Sequence, residues 1–357
     1  MMEINGKTIN KSSPTYFIAD VAANHDGDLE RAKELIYLAA EAGADAAKFQ
    51  HFQAGTIVSN YGFNSLGGQQ SHQAKWKKSV YEVYEDASVS LNWTETLIDT
   101  CNKAKIAFFT TPYSLEVVDY LDKHVPAYKI GSGDINWPEM IKKVASKNKP
   151  YFIATGASSK NDVLKAVNLA ISINPNLCVM QCNTNYTASL ENFKYIHLNV
   201  LKLYAELFPE ICLGLSDHTP GHSTVLGAVT LGARAIEKHF TDSNERVGPD
   251  HAFSMNPNSW KEMVERTREL ELSLGSQIKK VEENEIETVV LQRRAMRASR
   301  SLRKGEKIKK NDFYPLRPCP EDAMDLMELN SMVGMRVSRD IVSGDYIKSG
   351  DLHSKND

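Results

Sequence analysis

Eight short apolar runs alternate with helix-length segments along most of the chain, and this alternation restricts the fold more than any other feature. The runs fall at 16–21, 46–50, 106–111, 127–130, 151–155, 177–181, 211–215 and 235–240. Helical patterning marks 29–42, 92–104, 115–122, 137–146, 160–173, 193–207, 224–231 and 258–274. Strands that are each followed by a helix build either a closed parallel barrel or an open doubly wound sheet. Eight units within roughly 260 residues suit the barrel. An open dinucleotide-binding sheet needs a glycine-rich turn directly after a strand. The nearest candidate, Gly131-Ser132-Gly133, lacks the third glycine. The expected fold class is α/β, a (β/α)8 TIM barrel.

Three segments fall outside the alternation. Asn5-Gly6, between Glu3-Ile4 and Lys7-Thr8-Ile9, predicts a small N-terminal hairpin. The connection 51–90 is too long for a plain barrel loop; it contains a short helix near 76–84 and is read as a lid over the mouth. Beyond Gly275 a charged stretch at 279–287 gives way to short alternating runs and turns. A β-rich module of about 60 residues is marginal on its own, so it is expected to pack on something. The division expected is a barrel at 1–278, a linker at 279–292 and a small β-rich domain at 293–357.

Composition removes several function classes. With 42 Lys+Arg against 45 Asp+Glu the net charge is −3, which argues against a nucleic-acid or acidic-membrane partner. No apolar run approaches the roughly 20 residues of a membrane span. The first residues lack a signal peptide's basic-then-apolar pattern. Cys101, Cys178, Cys182, Cys212 and Cys319 form no CxxC pair. A cytoplasmic protein with reduced thiols is expected.

Barrel active sites lie at the C-terminal ends of the strands, and polar side chains gather there. The successive runs supply Asp20 with Asn24-His25, Lys48 with Gln50, Thr110-Thr111, then Lys129 with Ser132. Thr155-Gly156, Asn183 with Thr184 and Tyr186, Ser216-Asp217-His218, and Glu237 with His239 complete the ring. Two lysines inside apolar strands need anionic partners. Lys48, Lys129, Ser132 and Ser216 suit a phosphate or carboxylate; a structural ion pair with Asp20 or Glu237 is the alternative. His218 and His239 end adjacent strands, so both imidazoles can reach one cation. Two nitrogens with no thiol cluster leave oxygen or water for the other ligands, which favours Mn²⁺ or Mg²⁺ over a structural zinc. His25 is either a site residue or a turn residue. His51, His72 and His251 are placed in mouth-side loops, and His124, His197 and His353 at the surface.

These strand ends carry longer motifs: Ala22-Ala23-Asn24-His25-Asp26-Gly27, Gly43-Ala44-Asp45-Ala46-Ala47-Lys48-Phe49-Gln50 and Tyr128-Lys129-Ile130-Gly131-Ser132-Gly133. Gly214-Leu215-Ser216-Asp217-His218-Thr219, Glu237-Lys238-His239-Phe240-Thr241 and Gly248-Pro249-Asp250 follow in order. In these motifs the chain resembles the N-acetylneuraminate (sialic acid) synthase family of phosphoenolpyruvate-condensing enzymes. Arg303-Lys304-Gly305-Glu306 and Leu316-Arg317-Pro318 resemble the antifreeze-like (SAF) cap of that family. The resemblance implies condensation of phosphoenolpyruvate with an open-chain N-acetylmannosamine-type aldose, releasing phosphate. It implies that Lys48, Thr111, Lys129, Ser132, Thr184 and Ser216 hold phosphoenolpyruvate, and that His218 and His239 hold a divalent metal, Mn²⁺ foremost, with Mg²⁺ or Co²⁺ as substitutes. No nucleotide or flavin is implied. Asp20, Gln50, Tyr186 and Asp250 would face the sugar, and Arg317 would arrive from the partner of a domain-swapped homodimer. Asp20, Lys48, Lys129, His218 and His239 form the implied catalytic set.

The chain also departs from the family pattern. Asp20 and Asp134 stand where glutamate is usual, Ala154 where some members carry a phosphate-binding serine, and Asn183-Thr184-Asn185-Tyr186-Thr187 replaces a Cys-Thr-x-x-Tyr-Pro run. Ala22-Ala23-Asn24-His25 and Tyr81-Glu82-Val83-Tyr84-Glu85 lean toward the pseudaminic-acid branch, whose substrate is a 6-deoxy diacetamido sugar. Two other readings remain. One is a metal-free Schiff-base aldolase using Lys129 or Lys48; the other is a non-catalytic binding protein whose C-terminal module recognises ice or glycans.

Overall fold

The computed structural model describes residues 2–69, 73–74 and 76–353. The chain forms two compact units, Met1–Gly275 and Ser276–Asp357. In the first unit, strands β1 (Met2–Ile4) and β2 (Lys7–Ile9) form the N-terminal hairpin. Its turn residues Asn5 and Gly6 both hold positive φ, 48° and 79°, as the tight Asn-Gly turn requires.

Eight parallel strands then close a barrel: β3 (Tyr16–Asp20), β4 (Ala46–His51), β5 (Ala107–Pro112), β6 (Tyr128–Ile130), β7 (Tyr151–Ala154), β8 (Leu177–Cys182), β9 (Cys212–Asp217) and β10 (Ala233–His239). Helices α1 (Leu29–Glu41), α2 (Ala54–Ile57), α3 (Asn60–Ser65), α4 (Val80–Asp86), α5 (Thr94–Ala104) and α6 (Leu115–Leu121) are followed by α7 (Pro138–Ala145), α8 (Lys160–Ile173), α9 (Val200–Leu207), α10 (Ser223–Thr230) and α11 (Pro257–Leu274). The architecture is the expected TIM barrel. Its strands read as apolar runs because a parallel barrel strand is covered on both faces.

Alternation along the strands separates two cores. Ile18, Ala46, Phe109, Phe152, Cys178, Met180 and Ala235 fill the barrel, together with Met2, Ile4 and Ile9 of the hairpin. Phe17, Phe49, Tyr151, Val179, Leu215 and Ile236 face the helices. Ala46 lies in the inner set, so Lys48 and Gln50 also point inward. The same rule turns Lys238 outward, where it pairs with Asp217, itself held by Thr219 and Thr224.

Several local expectations need revision. The segment 193–207 is not one helix: a 3-10 stretch at Leu190–Tyr195 precedes α9, and His197 between them takes a positive φ of 48° that interrupts helical geometry. His51 is not in a loop. It ends β4, buried, with its ring nitrogens 2.8 Å and 3.1 Å from the Thr110 and Thr94 hydroxyls. The short helix near 76–84 starts later, at Val80, because Ser79 and Glu82 form a capping box there.

Residues 70–72 and 75, including His72 of the expected lid, lie outside the described residues. Around them, Ala54, Val58 and Val80 build a small apolar cluster with Ile57, Phe63, Trp76, Tyr81 and Tyr84.

The second unit opens with a 3-10 turn at Glu283–Glu285 and α12 (Ile286–Gln292). It pairs β11 (Ala295–Ala298) with β12 (Phe313–Leu316), and β13 (Arg336–Val337) with β14 (Leu352–His353), both antiparallel. A short helix, α13 (Leu329–Met332), precedes β13. Met296, Leu302, Ile308, Phe313, Val337, Ile341 and Ile347 form its own core. One device occurs twice: Arg300 Nε binds Asp312 and Arg339 Nε binds Asp351, each at 2.8 Å across twelve residues. Each aspartate also caps its own turn, accepting from the Lys309 or Lys348 backbone N–H. The sequence reading saw only turns there.

Candidate active site

A cavity of about 430 Å³ lies at the C-terminal ends of the barrel strands. Asp20, Lys48, Gln50, Thr111, Lys129, Ser132, Thr184, Tyr186, Ser216, His218, His239 and Asp250 all line it. Strand register explains this gathering. Lys48 pairs in register with Asp20, Asp20 with His239, Gln50 with Thr111, and Ser216 with both Glu237 and Cys182. Residues far apart in sequence therefore share neighbouring positions on the barrel rim. Arg317 belongs to the second unit, where its Nε donates to the Gln292 carbonyl at 2.6 Å.

Both buried lysines are ion-paired. Lys48 Nζ lies 2.7 Å from Asp20 Oδ2 and 4.0 Å from Glu237 Oε2, and Lys129 Nζ lies 2.6 Å from Glu237 Oε1. These are the ion pairs of the alternative reading, and both lysines also line the cavity. Burial alone would lower the Lys48 pKa, but Asp20 and Glu237 outweigh it and hold it above the ordinary lysine value. Burial opposes the charged forms of Asp20 and Glu237 as well. Lys48 and His239 nevertheless hold the Asp20 carboxyl below the usual carboxylate range, and Lys129 and Lys48 do the same for Glu237.

Hydroxyls extend this polar floor. Ser216 Oγ donates to Glu237 at 3.1 Å, and the Gly156 N–H donates to Ser132 Oγ at 3.0 Å. Gly156 permits close packing: a Cβ there would fall 1.8 Å from Thr184 Oγ1 and 2.9 Å from Ser132 Oγ.

His218 and His239 lie with ring centroids 5.2 Å apart, flanked by Tyr186 and Phe253. His218 Nδ1 is 2.9 Å from the Asn183 carbonyl, which can only accept. The proton therefore sits on Nδ1 and the Nε2 lone pair is left for a ligand. Burial, then the neighbouring His239, lowers the His218 pKa to about 4, so it is neutral near pH 7. Burial would lower His239 too, yet Asp250 and Asp20 raise it above the ordinary histidine value. At 3.6 Å from His239 Nδ1, Asp250 Oδ2 acts through charge rather than a hydrogen bond, and Nδ1 has no hydrogen-bond partner. A neutral imidazole, a second one with an unbonded nitrogen and a local negative field suit a divalent cation. Among the described residues no three His, Cys, Asp or Glu side chains gather for a metal. A cation held by the two histidines would complete its shell with water and substrate oxygens.

Other histidines have structural partners. His25 Nδ1 accepts from Gly27 N–H at 3.0 Å, a turn role, with its ring edge-on to Trp93. His251 bridges Thr241 and Asp26, which also binds Arg31. The sequence reading left several cavity residues out of its site. Glu237 is in the predicted polar ring beside His239 and is the alternative ion-pair partner of the lysines, but has no predicted role in the site. Asp134 lines the cavity with Oδ2 unpartnered, and burial lifts its pKa to about 6. Phe253 and Tyr113 carry no pattern in sequence that distinguishes them from core.

Comparison with known proteins gives the chain's family. The NeuB family model matches residues 35–279. The chain is 35% identical to the N,N'-diacetyllegionaminic acid synthase of Legionella pneumophila over 96% of each chain. It is 31% identical to a pseudaminic acid synthase of Campylobacter jejuni, covering 96% of this chain and 98% of that one. A solved structure of the spore coat polysaccharide biosynthesis protein SpsE from Bacillus subtilis aligns over 99% of both chains at 31% identity and a TM-score of 0.66. A closed barrel with this rim, matched by relatives along nearly its whole length, identifies the chain as a member of the NeuB family of nonulosonic acid synthases.

Proposed function

We propose that the chain condenses phosphoenolpyruvate with the open-chain form of an N-acetylated amino sugar, giving a nine-carbon 2-keto sugar acid and phosphate. C3 of phosphoenolpyruvate attacks the aldehyde carbon, water adds at C2, and phosphate departs with the C2–O electron pair. Lys48 and Lys129 would hold the carboxylate and phosphate, aided by the hydroxyls of Thr111, Ser132, Thr184 and Ser216. Gln50, Tyr186 and Asp250 would orient the sugar, and Asp20 would position it or handle the proton taken up by the new hydroxyl. His218 and His239 would hold a divalent cation, Mn²⁺ by preference, which would supply Lewis-acid polarisation of the aldehyde.

One observation carries this reading: the two ion-paired lysines and the two imidazoles line one cavity. A Schiff-base aldolase fits less well, because a nucleophilic lysine must present a free amine, and Lys48 and Lys129 are each ion-paired with a buried carboxylate. The test is phosphate release from phosphoenolpyruvate by EDTA-treated protein, with and without added Mn²⁺, across a set of amino sugars. Metal-dependent release is expected. Trapping of a lysine by borohydride in the absence of metal would overturn the proposal. The proposal extends to the second unit as an antifreeze-like cap in a domain-swapped homodimer. Mixing Lys129→Ala and Arg317→Ala chains, each inactive alone, should then restore part of the activity.

A further inference from the structure

The turn that follows β3 is strained and carries two aimed donors. Val21 still extends the strand ladder, its N–H donating to the Lys48 carbonyl at 2.9 Å, and then Ala22 and Asp26 take φ of 44° and 52°. A β-carbon disfavours that left-handed region, so such residues persist only where their surroundings over-determine them. Ala22 N–H donates to Asp20 Oδ1 at 3.0 Å, and Ala23 N–H donates to Asp250 Oδ2 at 3.2 Å. Successive N–H groups in a turn of this kind make a concave site for negative charge. Asp20 also accepts from Lys48 and Gln50, at 2.7 Å and 3.0 Å, so a displaced turn would affect Asp250 most.

The residues that over-determine the turn lie behind it. Asn24 is fully buried, and its Nδ2 donates to the Phe240 carbonyl and to Ser254 Oγ, each at 2.9 Å. Ser254 Oγ passes its own proton on, donating to the Asp250 carbonyl at 2.7 Å. Arg31, in the first turn of α1, donates from Nε to the Asn24 carbonyl at 2.7 Å, while its terminal nitrogens fork onto Asp242 at 2.9 Å and 2.6 Å. None of Asn24, Arg31 and Ser254 lines the cavity. We infer that these three are positioning residues: they lock the strained turn after β3 onto the loop after β10 and so fix where the Asp250 carboxylate stands. This inference rests on the condensation reading above, in which Asp250 faces the sugar, and adds the residues that hold it there.

The experiment follows phosphate release by the full chain with Mn²⁺, varying phosphoenolpyruvate and the amino sugar separately, for Asn24→Ala, Ser254→Ala, the double variant and Arg31→Lys. Misplacing a binding group by about 1 Å costs on the order of 100-fold, so Asn24→Ala should raise the KM for the sugar and lower its kcat/KM by about 10- to 100-fold. The KM for phosphoenolpyruvate should stay unchanged, because Lys48 and Lys129 keep their carboxylate partners. Ser254→Ala should act in the same direction. The double variant should lose no more than Asn24→Ala alone, since both substitutions cut one chain of hydrogen bonds. Arg31→Lys keeps the charge beside Asp242 but not the fork, and should also raise the sugar's KM; with Ser254→Ala it carries the test if Asn24→Ala fails to fold. A merely structural role would lower the active fraction, reducing kcat with both KM values unchanged, and the losses would multiply in the double variant. Either result would overturn the inference while the condensation reading stands. No phosphate release by the unsubstituted chain with any amino sugar would overturn the condensation reading, and the inference with it.

Discussion

At the scale of single residues, the site stores buried charge in pairs. Glu237 is joined to Lys129 at 2.6 Å and to the Ser216 hydroxyl, so removing its charge leaves an ammonium without compensation. Glu237→Gln is expected to lose about 3 kcal/mol or more in urea unfolding. Adding Lys129→Met should recover most of that loss, since a pair removed together leaves no orphan charge. Asp134 gives a prediction with a defined sign. Burial raises its pKa from 3.8 to about 6, so the folded state binds more protons than the unfolded state between those values. That contribution to stability is complete below the unfolded pKa and is lost as pH rises through the folded one. Asp134→Asn escapes the loss. Its advantage over the natural chain should grow from about pH 4 to pH 6 and level off at about 1–3 kcal/mol, measured by urea unfolding at pH 4 and pH 7.5.

Among elements, strand ends and close approaches set the geometry. The loop after β7 passes so near Thr184 and Ser132 that Gly156 has no room for a Cβ. Gly156→Ala is expected to cost about 1–3 kcal/mol by overpacking and to weaken phosphoenolpyruvate binding by displacing both hydroxyls. A raised KM for phosphoenolpyruvate together with a lowered unfolding midpoint would bear this out; an unchanged KM would show that the hydroxyls are not ligands. Elements were also where sequence patterning worked unevenly. The barrel strands are legible because apolar runs of four to six residues sit between good helix formers. The break at His197 is not, because one left-handed residue leaves no trace in an amphipathic pattern.

For the whole molecule, a ligand that binds only the folded state raises its apparent stability with the logarithm of its concentration above Kd. Mn²⁺ added to EDTA-treated protein should raise the thermal midpoint by several degrees, with about 2.7 kcal/mol gained at a hundredfold excess over Kd. His218→Ala and His239→Ala should each abolish that rise. A rise that persists in both variants would place the metal elsewhere. No helix among the described residues is long and apolar enough to cross a membrane.

The sequence alone determined the eightfold alternation, the hairpin turn at Asn5-Gly6 and the identities of most polar residues at the strand ends. Those features are local: periodicity, turn chemistry and strand alternation are set by neighbours in the chain. Tertiary structure alone decided which charges meet. Register between neighbouring strands sets Lys48 beside Asp20, and closure of the barrel brings Lys129 of β6 across its interior to Glu237 of β10. Closure also made His51 a buried strand residue rather than a loop residue. The apolar side chains that line the cavity from the inserted segment follow the same rule. Phe52, Val83 and Tyr84 fall in the connection expected to be a lid, and only the folded insertion turns them toward a cavity.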